Sequence, residues 1–400
     1  MFDPGSVRFR GPFKPYVDGY WSELRRLGYA PFSGANLLRL AAHVSRWLED
    51  SSLGPGDLTD GRVAEFAADR RRQGYTGFRT ARSVHPLLGY LRGLGVVPPP
   101  ARPIVVEKPV DRLLHEYAEY LVRERGLVAT TVRGYTEFAK RFVEAQPCLD
   151  WARLRAEHVT SFVLRDSRQA TVATCKGTVT GLRSWLRFLQ ARGEIEHDLA
   201  ACVPAVAGWR LAWVPKSLEP DQVVRLFRSP DPGSALGRRD AAIIRLLVRL
   251  GLRAGEVAAL CLDDIDWRAG EVVVRGKGRR ESRLPLPRDI GRALAAYLRG
   301  GRPHSSSRHV FLGVRAPFRA LPTGGVIAVA ARALRRAGVA AGGAHLLRHT
   351  AATQMLRHGA SLDEIGHVLR HRHIDTTAIY AKVDHAALRI LAQPWPGGAA

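Results

Sequence analysis

The sequence predicts a mainly α-helical fold with a small β-sheet: two helical modules followed by a mixed α+β domain. Apolar residues recur at helical spacing through most of the 400 residues. One pair of short β-type runs flanks Gly276-Lys277-Gly278. Two Pro-containing stretches, Pro98 to Pro109 and Pro204 to Pro215, interrupt the periodicity and read as linkers. They divide the chain into modules at 1–97, 110–200 and 216–393.

In the middle module, Leu113, Tyr117, Tyr120 and Leu121 form one apolar stripe, and Tyr135, Phe138 and Phe142 a second. Val159, Phe162 and Val163 follow, then Leu182, Trp185, Leu186 and Leu189, so four amphipathic helices make a small bundle. The first module repeats this pattern. Tyr16, Tyr20, Leu24 and Gly28 align with Leu114, Ala118, Val122 and Gly126; Leu58, Val63 and Phe66 align with Leu154, Val159 and Phe162. Leu88, Leu91 and Gly95 align with Leu186, Leu189 and Gly193, and the offset of 96 to 98 residues suggests tandem modules. In the third module, helices are expected near 221–227, 239–250 and 254–261. A hairpin of 271–274 with 282–286 comes next, then helices near 290–298, 326–337, 346–358, 362–369 and 376–382.

With 46% hydrophobic residues the chain can bury a core in each module, which argues against wholesale disorder. A net charge of +24 calls for a polyanion. No apolar run is long enough to span a bilayer and no signal-like core opens the chain, so no membrane partner and a cytoplasmic, nucleoid-associated location are expected. Cys148, Cys175, Cys202 and Cys261 are scattered without a C-x-x-C pair and read as reduced small hydrophobes. Residues 216–400 hold 30 basic against 15 acidic residues, and residues 1–215 hold 31 against 22, so the surplus is concentrated in the third module. In the first module Arg70-Arg71-Arg72 suggests a second DNA contact.

Six polar residues in that third module have the chemistry to hold, attack and resolve a phosphodiester. Planar guanidiniums at Arg253 and Arg348 suit the non-bridging oxygens of a phosphate. Lys277 stands out because the chain uses Arg 54 times and Lys 7 times; an ammonium can release a proton to a leaving oxygen and a guanidinium cannot. His345 and Arg348 share a helical face, and Glu256 sits three residues after Arg253, positioned to orient it. His349 completes an H-x-x-x-H spacing with His345, but a zinc protease needs Glu after the first His, where this chain has Leu346. His371 precedes Tyr380 by nine residues, and a phenol can form a covalent ester with phosphorus. Neither metal nor cofactor is expected.

The region from Arg239 to Asp384 resembles the catalytic domain of tyrosine recombinases, the phage integrase family. The resemblance rests on Gly-Leu-Arg253-Ala-Gly-Glu256, Gly-Lys277-Gly, His345-Leu-Leu-Arg348-His-Thr, and His371 nine residues before Tyr380. Residues 110–200 are similar to the family's core-binding (SAM-like) domain, and 1–97 to the extra domains of mobile-element integrases. One departure is Arg370, where the family usually carries Gly. The resemblance implies that Tyr380 attacks a scissile phosphate, leaving a 3′-phosphotyrosine and a free 5′-hydroxyl. Arg253 and Arg348 would stabilise the phosphate, Lys277 protonate the 5′ oxygen and His345 handle the Tyr380 proton. His371 would donate to a phosphate oxygen, with Glu256 in support. The partners implied are double-stranded DNA with short inverted core repeats, a homo-tetramer on paired sites, and accessory proteins. A type IB topoisomerase and a non-catalytic helical DNA-binding regulator are the rival readings.

Overall fold

The computed structural model describes residues 7–100, 109–146, 150–168, 170–207, 214–276, 281–340, 342–371, 373 and 375–383. They form two compact units, one of residues 1–101 with 213–400 and one of residues 102–212. Lys277 and Cys148 lie outside the described residues.

In the first unit, the N-terminal module consists of α1 (Val17–Arg26), α2 (Pro31–Asp50), α3 (Asp60–Arg72) and α4 (Ala81–Gly93). Proline opens α2 at a position where its missing N–H has no helical partner to lose. Thr59 caps α3 through its hydroxyl. Tyr20, Leu24, Leu38, Leu48, Val63, Phe66, Leu88 and Leu91 meet in one apolar core. The Arg70-Arg71-Arg72 run is split between one buried and two exposed side chains. Arg70 is buried over the Tyr75 ring at 3.9 Å, Arg71 donates to the Arg79 carbonyl, and Arg72 pairs with Asp69. A guanidinium at a helix end can lie flat on an aromatic ring, and local partners take the other two.

The second unit holds α5 (Pro109–Arg123), α6 (Ala129–Glu144), α7 (Ala156–Ser167) and α8 (Val172–Ala191) around Tyr117, Phe142, Phe162 and Trp185. Of the residues aligned between the two modules, Leu58 with Leu154, Val63 with Val159, Phe66 with Phe162 and Leu88 with Leu186 are all buried. Gly28, Gly95, Gly126 and Gly193 all take positive φ at helix ends, where glycine avoids the Cβ clash. The first helices match less well: Leu24 is fully buried whereas Val122 is exposed, and Tyr16 and Ala118 are only partly buried where their counterparts Leu114 and Tyr20 are buried.

The C-terminal module begins with α9 (Pro220–Arg228), α10 (Ala235–Arg249) and α11 (Ala254–Ala259). Ile243, Ile244, Leu246, Leu247 and Val248 of α10 are all buried, so this helix is apolar around most of its circumference and forms the centre of the core. Next come β1 (Ile265–Asp266), β2 (Glu271–Arg275) and β3 (Glu281–Pro285), an antiparallel sheet in that order with Val273 opposite Arg283. Val272 and Val274 alternate inward, fixing the register. The chain continues through α12 (Arg288–Gly300), α13 (Thr323–Arg336), α14 (Ala344–Arg357), α15 (Leu362–Leu369) and α16 (Asp375–Ala378). The expected helix over 376–382 is only one α turn, continued by a 3₁₀ turn, Ile379–Val383, which carries Tyr380. No helix among the described residues is long and apolar enough to cross a membrane.

The N-terminal module meets the C-terminal one at Gly28, where a Cβ would lie 2.4 Å from the Phe318 ring. Gly95 has a similar φ and open space around it, which makes it a control. Gly95→Ala should lower stability by about 1 kcal/mol from the left-handed backbone alone. Gly28→Ala should lose more, because Phe318 must also move. Equal shifts of the two urea midpoints would contradict this packing.

Candidate active site

The site is organised where α10 ends. Gly251 turns the chain at φ +57, and a Cβ there would meet Leu369 at 2.4 Å. The turn delivers Arg253 to the start of α11 in extended conformation. The Glu256 carboxylate accepts from the Arg253 backbone N–H at 2.9 Å and from its Nη1 at 2.8 Å. This local capping arrangement holds the Arg253 side chain, which remains partly exposed.

Across from it, α14 presents His345, Arg348 and His349. Arg348 is buried; it donates Nη1 to the Gly251 carbonyl and Nη2 to the Leu369 carbonyl. Burial, reinforced by the neighbouring Arg253 charge, lowers its pKa to about 10, so it is still a cation near neutrality. Arg253, His345 and Arg348 together line a pocket of about 270 Å³, with Leu252, Ala254, Ile327, Gly343 and Ala344. Gly343 and Ala344 open α14, whose N-terminal end favours an anion.

Arg370 occupies the position where the family resemblance leads one to expect glycine. It sits at φ +54, the left-handed C-cap of α15. The strain is accompanied by specific contacts: Nη2 donates to Glu256 at 2.7 Å and Nη1 to the Val368 carbonyl at 2.9 Å. Burial alone would raise the Glu256 carboxyl. The Arg370 charge and the Arg253 N–H and guanidinium outweigh it and hold the pKa below the ordinary value of 4.5.

His371 accepts from or donates to Thr377 through Nδ1 at 2.7 Å, tying the end of α15 to α16. Burial, then the charges of Arg348 and Arg253, pushes this imidazole down to about 4. Tyr380 is covered by Ala352, Ile365 and Leu369, and burial pushes its phenol up to about 12 despite Arg348 nearby. Its hydroxyl lies 2.9 Å from His349 Nδ1. His345 meets His349 edge-on, with ring centroids 5.6 Å apart.

Thus Arg253, Glu256, His345, Arg348, His371 and Tyr380 belong to one neighbourhood, connected directly or through Gly251, Leu369, Thr377 and His349. Lys277 is outside the described residues, but the strands leading to it are tied by Arg275 Nε to Glu281 at 2.9 Å. Sequence reasoning noted His349 for its metal-like spacing and within the family motif but gave it no role, and it did not connect Thr377 with His371. The signal for His349 was its place directly after Arg348 and one helical turn after His345.

The chain is 40% identical over 399 residues to a protein described as an integrase/recombinase, y4rA, from Sinorhizobium fredii, covering 97% of this chain and 96% of the relative. The chain belongs to the phage integrase family. The family model, described as "Phage integrase family", matches residues 216–387. Within that family, the chain is 33% identical over 307 residues to tyrosine recombinase XerD of Mycobacterium tuberculosis, covering 71% of this chain and 96% of that protein. Its fold is shared with a structure of lambda integrase (75–356) bound as a dimer to a COC′ core site: TM-score 0.55, 18% identity, covering 72% of this chain and 98% of that one.

Glu256 accepts from two guanidiniums, so Glu256→Gln should cost about 3 kcal/mol near neutral pH, chiefly by leaving the buried Arg370 cation uncompensated. Because the folded carboxyl is depressed, its stabilisation is complete above 4.5 and is lost as pH falls through the lower folded value. The variant should therefore lack that part of the acid-side loss. Denaturation curves at neutral and acid pH check both effects; a wild-type-like neutral stability would contradict the tie.

Proposed function

We propose that this site-specific recombinase cuts and rejoins double-stranded DNA by transferring one strand to Tyr380. Each cut leaves a 3′-phosphotyrosine and a free 5′-hydroxyl, so bond energy is kept for rejoining. The reading is supported chiefly by the pocket shared by Arg253, His345 and Arg348, with the Tyr380 phenol on the adjoining face of α14. Arg253 and Arg348 neutralise charge that builds on the non-bridging oxygens, the electrostatic role that usually supplies the largest catalytic term. His345 and His371 add hydrogen bonds to the phosphate, Glu256 holds Arg253 in place, and Lys277 protonates the departing 5′ oxygen. Since Tyr380 is buried, attack includes uncovering its hydroxyl.

DNA as the substrate accords with the net charge of +24. Two short inverted core repeats brought together by four copies would let strands exchange, and the integrase names of relatives favour integration, excision or transposition of a mobile element. Accessory proteins would belong to that assembly. In the N-terminal module, Arg8, Arg39 and Arg46 line one surface pocket with His43 and offer a phosphate a cationic seat. Replacing Arg8 and Arg46 with alanine should flatten the log–log salt dependence of DNA binding by about 0.9 for each phosphate no longer neutralised. An unchanged slope would exclude this pocket from the DNA interface.

The chemistry is tested on duplexes that the wild type captures covalently from a randomised pool. Tyr380→Phe should bind them and form no protease-sensitive adduct; an adduct with this variant would overturn the nucleophile. Lys277→Arg keeps the charge but not the transferable proton, so cleavage should slow by roughly 10² to 10⁴. A 5′-thiol leaving group needs little protonation and should restore the rate. Failure to restore it would move that role to another residue.

A further inference from the structure

We propose that His349 is a further catalytic residue, accepting the phenolic proton of Tyr380 at Nδ1 as the Oη–phosphorus bond forms. This inference rests on the Tyr380 reading and deepens it. The sequence pattern first suggests His345 for that proton. In the structure His345 lines the pocket with the two arginines and meets His349 edge-on, whereas the phenolic oxygen lies 2.9 Å from His349 Nδ1. That distance is within direct proton-transfer reach. Both groups are placed by packing: His349 follows Arg348 on α14, and Tyr380 is fixed against α14 and α15 by Ala352, Ile365 and Leu369. A base held one residue from a phosphate-binding guanidinium reaches the nucleophile from the next face of the same helix.

The bonds and protons balance. Oη–P forms while the Oη–H proton moves to Nδ1 of the neutral imidazole, whose other nitrogen carries its hydrogen. P–O5′ breaks, and the departing oxygen takes a proton from the general acid. In rejoining, the 5′-hydroxyl returns its proton to the general acid as it attacks phosphorus, the imidazolium returns its proton to Oη, and the tyrosine leaves as a neutral phenol.

Charge explains why this transfer waits for DNA. Around His349 stand His345 and Arg348 on its own helix, and His371 and Tyr380 on the segment packed against it. Burial, then His345 and Arg348, pushes the imidazole down to about 4, while the phenol stands at about 12. Spontaneous transfer is therefore steeply uphill in the free chain, and the nucleophile stays protonated. A phosphodiester in the pocket brings a negative charge beside Arg348, offsets the cations that depress His349, and consumes the phenolate as it forms.

The test uses His349→Asn, whose side-chain oxygen can still accept a hydrogen bond near the Nδ1 position but takes no proton near neutrality. On a nicked form of the duplex captured by the wild type, adduct formation should slow by roughly 10²-fold. Placing a fluorinated tyrosine, whose phenol ionises near neutrality, at position 380 should close most of that gap, because proton removal is then no longer demanding. The rescue also shows that the variant is folded. Wild-type cleavage by His349→Asn, or a gap that the fluorinated phenol leaves unchanged, would overturn the role of His349. If instead Tyr380→Phe in an otherwise wild-type chain still forms the adduct, the Tyr380 reading itself fails and this inference with it.

Discussion

The geometry of the site depends on one buried guanidinium. Arg348 keeps its charge near neutrality although buried, so it must be given acceptors. It takes the carbonyls of Gly251 and Leu369, which lie 97 and 21 residues away in the chain. Those two bonds join the turn after α10, the middle of α14 and the end of α15. With these segments joined, Arg253 is delivered to the pocket and the Tyr380 segment packs on the adjoining face of α14. The same close approach explains Gly251, where even a methyl group would run into Leu369.

A second charge balance sits beside the first. Glu256 is buried between Arg253 and Arg370, and its carboxylate is surrounded by donors rather than solvent. Arg370 reaches it from a left-handed residue, a conformation that side chains other than glycine adopt at a cost. The departure from the family's usual glycine is therefore matched by an ion pair and a carbonyl contact that glycine would not supply. Neutralising two cations with one carboxylate leaves the pocket net positive, as suits an anionic ligand.

Much of this was legible in the sequence because it is local. The stripes through Tyr117, Phe162 and Trp185 follow helical period, and all three side chains are buried. The β-type run at 271–274 before Gly276-Lys277-Gly278 marked a strand, and the pairing of Arg253 with Glu256 follows from a three-residue spacing. What escaped is non-local or hidden by burial. No periodicity tells that Arg70 stacks on Tyr75, or that Thr377 bonds His371. The helix expected around Tyr380 becomes 3₁₀ after Ala378, since packing on α14 overrides a weak local preference. His349 was read for its spacing to His345, whereas its partner lies 31 residues on.

The central claim is that this constellation directs phosphoryl transfer to one particular phenol. The most direct measurement is mass spectrometry of the covalent DNA adduct after trypsin and nuclease digestion. The account predicts that the nucleotide remnant resides on the peptide of residues 373–382, whose single tyrosine is Tyr380. A remnant on any other peptide, or on a side chain other than Tyr380 within this one, would contradict it.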